Sequence, residues 1–328
     1  TIIFIIFFKK LLYIIFIKHN YVILFAVNII NNIIIKTIPL LPKKVVKLIA
    51  NNYVAGINPQ DVLNKTKFLN NKGYEITIDL LGEHISDNNT VNKITEIYLN
   101  LLKSIKEQDL RANISVKPTH IGLHIDLNTF RNNADKLVSS ALKMNNFIRF
   151  DMEDSSTTDN TINIIKELNK KYENIGTVFQ AYLKRTYSDL SYFLNDKTNL
   201  RLCKGIYNES PLVAYKNYDK INKNYLKIVE LAFKKNSYIC FATHDLFLIE
   251  EIYKLIKKYN VSTNKFEFQV LYGVPMKGWL QKHLKNNYKV RIYLPYGPQW
   301  YEYSIRRLKE NPNIAKHVAK SIFSNRKY

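Results

Sequence analysis

From residue 74 onward, two hydrophobic patterns alternate along the chain. Short runs rich in β-branched and aromatic residues are typical of strands, and longer stretches with apolar residues every three or four positions are typical of amphipathic helices. Helical stretches lie, for example, at 159–172, 218–235 and 246–258. The pattern predicts eight strands, each followed by a helix. The predicted strands are 74–80, 113–117, 147–151, 175–182, 199–204, 238–242, 266–271 and 288–294.

Several of these strands are apolar on both faces, as expected for a parallel sheet that helices cover. Eight strand–helix units in about 240 residues is the size of a (β/α)8 barrel. An open, doubly wound sheet would alternate in the same way. However, no GxGxxG or GxxxxGK[ST] segment follows any strand, so the usual nucleotide signature of open sheets is missing. We therefore favour the barrel.

The amino-terminal stretch, residues 1–35, is very apolar but is interrupted by lysines and asparagines. It contains no uninterrupted run of the roughly 18–20 residues that a spanning helix needs, and no signal-peptide cleavage site. Two interpretations remain: helices that pack on a neighbouring domain, which we prefer, or a helix lying on a membrane surface. A short helix is predicted at roughly 43–54. We expect an N-terminal helical arm over 1–55 and a barrel domain over 56–328.

Composition adds a strong positive charge, because 49 Lys and Arg stand against 27 Asp and Glu, for a net charge of +22. Such a charge suggests a nucleic-acid or anionic membrane partner. However, only nine of the cations are Arg, and Lys, Asn, Ile and Tyr are abundant together, as under AT-rich codon usage. We interpret the charge as a lysine-rich surface and expect no nucleic-acid partner.

The cysteines and histidines predict no metal site. Cys203 and Cys240 are far apart in apolar runs with no CxxC spacing, which fits a reduced, cytoplasmic protein. His120 and His124 have i,i+4 spacing, but Gly122 lies between them, so we expect two loop histidines.

The chemistry of a parallel barrel lies where its strands end. The predicted strand ends carry more cations than carboxylates, which predicts an anion bound among them, since buried like charges need compensation. In chain order these residues are Lys117, Asp151, Gln180, Arg201 with Lys204, Thr243 with His244, Leu271 and Tyr293.

The last predicted helix carries Tyr303, Arg306 and Arg307 at i, i+3 and i+4, hence on one face. Two guanidinium groups on one face suit a small carboxylate or a phosphate. A solvated helix end with salt bridges to Glu302 or Glu310 explains the same spacing equally well.

Ten segments in unbroken order along the chain resemble the proline dehydrogenase family, in its monofunctional bacterial form. The resemblance covers residues 50–311. The segments are YVAG (53–56), IDLLGE (78–83), VKPT (116–119), RFDMEDS (149–155), FQAYLKRT (179–186), RLCKGIY (201–207), ATHD (242–245), FEFQVLYGV (266–274), RIYLPYG (291–297) and YSIRRLKEN (303–311).

The resemblance implies a distorted (β/α)8 barrel that binds FAD noncovalently. It implies oxidation of L-proline to Δ1-pyrroline-5-carboxylate by hydride transfer to flavin N5, with electrons passed to membrane quinone. The implied location is the cytoplasm, with peripheral contact on the inner face of the cell membrane.

Roles of individual residues follow from the same resemblance. Arg201 matches the arginine that hydrogen-bonds flavin N5, and Asp151 matches the acidic residue of the catalytic site. The other cofactor contacts are Met152, Gln180, Lys204, Gly205, Ile206, Thr243 and His244. The substrate-binding residues are Lys117, Arg306 and Arg307, which clamp the carboxylate, and Leu271, Tyr207, Tyr293 and Tyr303, which surround the ring.

One position departs from the family pattern. Ile206 replaces a small alanine and adds three carbons beside the pocket, which predicts crowding that costs about 1–3 kcal/mol.

Three alternatives stay open. Hydroxyproline dehydrogenase is disfavoured by Tyr293, because a smaller residue there would leave room for a 4-hydroxyl. Methylenetetrahydrofolate reductases resemble the chain more weakly, and the Arg306–Arg307 pair argues against them. The third alternative is a basic, inactive barrel that binds a membrane surface or nucleic acid.

Overall fold

The computed structural model describes residues 43–310, which form two compact units. One unit contains residues 43–51 and 300–310, and the other contains residues 52–299. The structure thus groups the helix of the predicted arm with the last helix of the predicted barrel domain. The expectations for residues 1–35 lie outside the described residues.

The unit formed by residues 52–299 contains eight strands and eight α-helices. The strands are β1 (Glu75–Leu80), β2 (Ala112–Val116), β3 (Ile148–Phe150), β4 (Ile175–Gln180), β5 (Asn199–Cys203), β6 (Tyr238–Ala242), β7 (Phe266–Leu271) and β8 (Val290–Tyr296). Helix α1 (Lys43–Ala50) belongs to the other unit. The helices of this unit are α2 (Pro59–Asn70), α3 (Asn88–Glu107), α4 (Leu127–Lys143), α5 (Thr158–Asn169), α6 (Thr186–Phe193), α7 (Tyr218–Lys234), α8 (Leu246–Lys258) and α9 (Trp279–Lys285). Two short 3-10 helices lie at Pro118–Ile121 and Thr263–Lys265.

The strands close into one parallel barrel in the order β1 to β8, with β8 pairing back onto β1. Thr77 of β1 lies opposite Asn113 of β2 and Tyr293 of β8. The predicted (β/α)8 barrel is therefore confirmed. Most strand ends differ from the predicted ones by one or two residues.

Four of the helices begin where a side chain caps the first turn. Asp87, Asp126, Asn217 and Asp245 each accept a hydrogen bond from a backbone N–H of the first turn of α3, α4, α7 and α8. Such a cap satisfies a donor that has no partner within the helix. The apolar faces of the helices then pack on the outer faces of the strands in one continuous core.

The inside of the barrel is polar, unlike the branched apolar filling that is common in this fold. Because side chains alternate along a strand, every second residue of each strand faces inward. Arg149 of β3 is 1% exposed, and its guanidinium donates to the backbone oxygens of Thr177 (3.2 Å) and Asn199 (2.9 Å). Gly176 of β4 leaves the room that this side chain occupies.

The second unit pairs α1 with α10 (Trp300–Glu310). Val46 and Ala50 are buried, and the ammonium of Lys43 lies 5.4 Å from the ring centroid of Tyr301. Helix α1 ends at Ala50, four residues before the predicted end, because a turn follows directly. No helix within residues 43–310 is long and apolar enough to cross a membrane.

We expect Gly176→Ala to destabilise the barrel. The added Cβ would lie 2.5 Å from the backbone oxygen of Asn199 and 2.7 Å from Nη1 of Arg149. Overpacking of this kind should lower the free energy of unfolding by about 1–3 kcal/mol, measured by urea denaturation. Ser188→Ala, on the exposed side of α6, introduces the same residue without crowding and serves as the control. Equal free energies of unfolding for the two variants would contradict the expected crowding around residue 176.

Candidate active site

Asp151 lies at the carboxyl end of β3 and is the centre of a cluster at the barrel mouth. Its Oδ1 accepts hydrogen bonds from Arg201 Nη1 (2.8 Å) and Ser115 Oγ (2.7 Å), and its Oδ2 accepts from the Tyr293 hydroxyl (2.9 Å). Burial, with the Asp151 carboxylate close by, holds the pKa of Tyr293 well above its usual range. The phenol therefore stays protonated and donates to the carboxylate.

Arg201 of β5 is 4% exposed and is held from several strands. Its Nε donates to Gln269 Oε1 at 2.6 Å, and its Nη1 also donates to Ser115 Oγ at 3.0 Å. Its Nη2 makes a long contact of 3.5 Å to Thr77 Oγ1, the one hydrogen bond of this atom within residues 43–310. The fixed guanidinium plane therefore retains an Nη2 hydrogen that can donate to a bound group.

Lys117 follows β2 and forms an ion pair with Asp79 of β1, with 2.7 Å between Nζ and Oδ1. Burial opposes its charge, but the carboxylates of Asp79 and Asp151 outweigh that effect and raise the pKa of Lys117 above its ordinary value. The ammonium is therefore a permanent cation. Among the described residues this ammonium donates one hydrogen bond, to Asp79, which leaves two of its three hydrogens for another acceptor.

Lys204 follows β5 and pairs with Asp245, with 2.5 Å between Nζ and Oδ2. The ammonium also lies 3.8 Å from the ring centroid of Tyr218, whose hydroxyl donates to the same carboxylate. Burial opposes the charge of Asp245, but the hydrogen bonds from Lys204 and Tyr218 outweigh it and lower the pKa of this carboxyl.

These pairs correct one expectation. The predicted excess of cations at the strand ends is absent, because Arg201 faces Asp151, Lys117 faces Asp79 and Lys204 faces Asp245. The argument that an anion must bind to balance unpaired cations was therefore wrong. Sequence reasoning missed Asp79 because its partner, Lys117, follows a different strand, and Asp245 because it caps the next helix.

Gln180 is the last residue of β4, and of its buried amide only the nitrogen is hydrogen-bonded within residues 43–310. Its Nε2 donates to the backbone oxygens of Met152 (3.2 Å) and Glu153 (3.3 Å). Its Oε1 is buried and has no hydrogen-bond partner within residues 43–310. A buried acceptor without a partner is costly, so this oxygen marks a place where a donor from a bound molecule is expected.

Thr243 and His244 follow β6. Thr243 is buried and accepts a hydrogen bond from the backbone N–H of Asp245 (3.1 Å). The exposed His244 accepts at Nε2 from the backbone N–H of Leu271, at 2.9 Å. Because Nε2 is the acceptor, the neutral ring carries its hydrogen on Nδ1.

The loop after β5 contains Gly205, Ile206 and Tyr207. Gly205 has φ +113°, and a Cβ there would lie 2.1 Å from the ring of Tyr182, so only glycine fits this turn. The Ile206 side chain is 53% exposed, so its added carbons do not produce the expected crowding against the described residues. Met152 is buried, and Tyr207 and Leu271 are half-buried.

Tyr303, Arg306 and Arg307 lie on α10, which confirms the helix on which their spacing was interpreted. Tyr303 is buried and Arg306 is exposed. They belong to the unit of residues 43–51 and 300–310, whereas the cluster around Asp151 belongs to residues 52–299. The carboxylate clamp stays a prediction.

Beneath Arg201 lies a buried ion pair that sequence reasoning missed. Glu267 of β7 accepts from Arg291 of β8 at both oxygens, at 2.7 Å from Nε and 3.1 Å from Nη2. It also accepts from Gln269 Nε2 (2.5 Å) and the Tyr238 hydroxyl (3.0 Å). Although burial favours the neutral acid, Arg291 lowers the pKa of Glu267 to about 2. The alternation in FEFQVL, with Glu and Gln on one strand face, was the available signal.

A closed parallel barrel that gathers a carboxylate, a guanidinium and a phenol at the carboxyl ends of its strands has the architecture of barrel enzymes. The fold and the site are therefore those of a barrel enzyme.

Comparison with known proteins makes the assignment specific. The family model described as "Proline dehydrogenase" matches residues 62–320. Proline dehydrogenase 2 of Bacillus subtilis (strain 168) is 36% identical over 270 residues, which cover 82% of this chain and 89% of that protein. Proline dehydrogenase of Deinococcus radiodurans is 31% identical over 280 residues, covering 84% and 90% respectively. The chain belongs to the proline dehydrogenase family, and with it to the oxidoreductases.

Among solved structures, proline utilization A (PutA) from Bdellovibrio bacteriovorus, inactivated by N-propargylglycine, superposes with a TM-score of 0.73. It is 22% identical, and the match covers 80% of this chain but only 32% of that longer protein. This similarity shows the barrel fold.

The pKa of Glu267 gives a pH-dependent prediction. Because its folded pKa of about 2 lies below the ordinary 4.5, Glu267 stabilises the fold above pH 4.5 and loses this contribution as the pH falls through about 2. Glu267→Gln leaves Arg291 with the Glu75 carboxylate, 3.8 Å away, as a weaker counter-charge. The change should cost about 3 kcal/mol at neutral pH, the lower end of the range for removing one partner of a buried ion pair. Urea denaturation should show the difference from wild type shrinking as the pH falls below 4.5.

Glu173→Gln is the control, since this carboxylate pairs with Lys197 but its side chain is 79% exposed. It should change the free energy of unfolding little at any pH. A constant gap between wild type and Glu267→Gln across the whole pH range would contradict a charged Glu267.

Proposed function

We propose that the protein oxidises L-proline to Δ1-pyrroline-5-carboxylate by hydride transfer to N5 of FAD and passes the electrons to membrane quinone. The observation that carries this proposal is the contact of Asp151 with Arg201 and Tyr293 at the barrel mouth, in a chain of the proline dehydrogenase family. A guanidinium, a carboxylate and a phenol fixed on three strands supply the rigid geometry that hydride transfer needs.

The residues present fit a flavin, and the family is generally flavin-dependent. Gln180 has a buried acceptor without a partner, and Arg201 retains a hydrogen on Nη2. We propose that these two residues hold the isoalloxazine, with Arg201 at N5, and that Met152, Thr243 and His244 line it. Lys204, Gly205 and Ile206 would contact the rest of the cofactor. FAD would supply the hydride acceptor, and the chain supplies position and charge.

The substrate carboxylate would be clamped by Lys117, Arg306 and Arg307. Lys117 suits this role because it is charged at all physiological pH values and has two ammonium hydrogens left after its bond to Asp79. The proline ring would pack against Tyr293, whose hydroxyl is held by Asp151. Leu271, Tyr207 and Tyr303 would complete the wall around the ring.

The amine of proline must lose its proton before the hydride leaves, so activity should rise with pH. Tyr293 is not the base at neutral pH, because burial and the nearby Asp151 keep its pKa well above the usual range. We assign Asp151 the role of orienting Arg201 and Tyr293 and balancing the positive charge of the site.

Quinone as acceptor places the protein at a membrane for part of its cycle. We propose a cytoplasmic protein with peripheral contact on the inner face of the cell membrane. Whatever the origin of its lysines, a surface with a net charge of +22 is attracted to the anionic cytoplasmic leaflet.

The purified protein should be yellow, and L-proline added without oxygen should bleach the flavin absorbance. A soluble quinone added afterwards should restore the yellow colour. A colourless protein that does not bind added FAD would disprove the proposed reaction.

Turnover on trans-4-hydroxyproline should be slower than on proline, because Tyr293 fills the space that a 4-hydroxyl needs. The reverse preference would identify hydroxyproline as the substrate.

The clamp is tested with Arg306→Ala. Loss of a hydrogen bond between charged groups removes about 1.5–3 kcal/mol, so kcat/KM for proline should fall by about ten- to a hundredfold, mainly through KM. Arg131→Ala is the matched control, since this arginine of α4 pairs with Glu167 on the surface. Wild-type kinetics in Arg306→Ala would remove this residue from the clamp.

A further inference from the structure

Gln269 of β7 contacts Arg201 on the side opposite to Asp151. Gln269 is 3% exposed, and its Oε1 accepts a hydrogen bond from Arg201 Nε at 2.6 Å. We propose that Gln269 is a positioning residue, which fixes the guanidinium plane of Arg201 against the flavin. The inference rests on the proposed function and adds a residue that acts through Arg201 on the cofactor.

The orientation of the Gln269 amide is determined by its other neighbour. Its nitrogen lies 2.5 Å from Glu267 Oε1, and a carboxylate only accepts hydrogen bonds. The nitrogen must therefore face Glu267, and the oxygen must face Arg201. A flipped amide would bring a donor against the Nε hydrogen of Arg201.

Glu267 can impose this orientation because it stays ionised. Arg291 donates to both of its oxygens and, despite the opposing effect of burial, lowers its pKa to about 2. A chain of hydrogen bonds thus runs from Arg291 through Glu267 and Gln269 to Arg201. Glu267 and Gln269 lie two positions apart on β7 and so face the barrel interior together.

A planar guanidinium needs two fixed points to define its rotation. Asp151 and Ser115 both hold Nη1, whereas Gln269 is the partner of Nε within the described residues. Without Gln269, the remaining restraints on rotation about the bonds to Asp151 and Ser115, within the described residues, are the 3.5 Å contact of Nη2 with Thr77 Oγ1 and the Tyr293 ring, whose centroid lies 5.1 Å from Cζ. The direction of Nη2 is then held less firmly. A misplacement of about 1 Å in such a group can cost on the order of a hundredfold in rate.

The test compares the FAD-loaded wild type with Gln269→Met, which has a similar length but no hydrogen-bonding groups. Glu267 retains Arg291 and Tyr238 as donors in this variant, so we expect it to fold. The midpoint potential of the flavin should become more negative, because a misdirected guanidinium stabilises the reduced flavin less. The kcat should fall by about ten- to a hundredfold, with little change in KM for proline.

Asn174→Leu is the matched control. Like Gln269, Asn174 has an amide with two hydrogen bonds, in this case to the backbone oxygens of Val138 (3.1 Å) and Asn146 (3.0 Å). It precedes β4 and so lies at the opposite end of the barrel. It should leave the flavin potential unchanged. If Gln269→Met retains no FAD, Gln269→Asn tests the same contact, because its shorter side chain withdraws the oxygen from Nε.

A double-mutant cycle separates positioning from a general structural effect. In an Arg201→Lys background, Gln269→Met should shift the potential little further, because the Nε that it orients is gone. An equal shift in both backgrounds, or a wild-type potential and kcat in both Gln269 variants, would overturn the inference. A wild type that holds no flavin or does not oxidise proline would instead refute the proposed function.

Discussion

The buried pairing of Glu267 with Arg291 is the interaction on which the rest of the site depends. Three arginines, Arg149, Arg201 and Arg291, occupy the inside of a barrel that is usually filled with apolar side chains. A cation taken out of water is tolerated only where acceptors satisfy it. The backbone oxygens of Thr177 and Asn199 accept from Nη1 of Arg149, whose Nε has no partner within residues 43–310. Glu267 pairs with Arg291, and Asp151 pairs with Arg201. The positions of these acceptors decide where each guanidinium can lie.

The same constraint makes the mouth of the barrel rigid. Arg201 is bound by residues from β1, β2 and β7 and by Asp151 after β3, so no single strand determines its position. The polar interior is continuous with the candidate active site, and the network that neutralises the buried charges also orients the groups that we propose to face FAD. Electrostatic groups held in place before the reaction need no reorganisation during it.

Much of the fold and part of the site could be predicted from the chain. Eight strand runs with intervening amphipathic stretches predicted the barrel, because burial periodicity is a local property of each element. Strand ends gave Asp151, Arg201 and Tyr293, because parallel strands end at one edge. The contributions of Ser115, Asp79 and Gln269 were not predicted, since each gains a role only through a partner that is distant in sequence.

What the sequence determined by itself was the number and kind of elements, and which residues lie near the carboxyl ends of the strands. Only the tertiary structure decided the pairing of charges, since the contacts of Arg201 with Gln269 and Ser115 span 68 and 86 residues. The predicted excess of cations disappeared for this reason: Lys117 and Lys204 find carboxylates 38 and 41 positions away. Hydrophobic periodicity is set by residues that are close in sequence. The electrostatic balance of a closed barrel depends instead on which strands become adjacent when it closes.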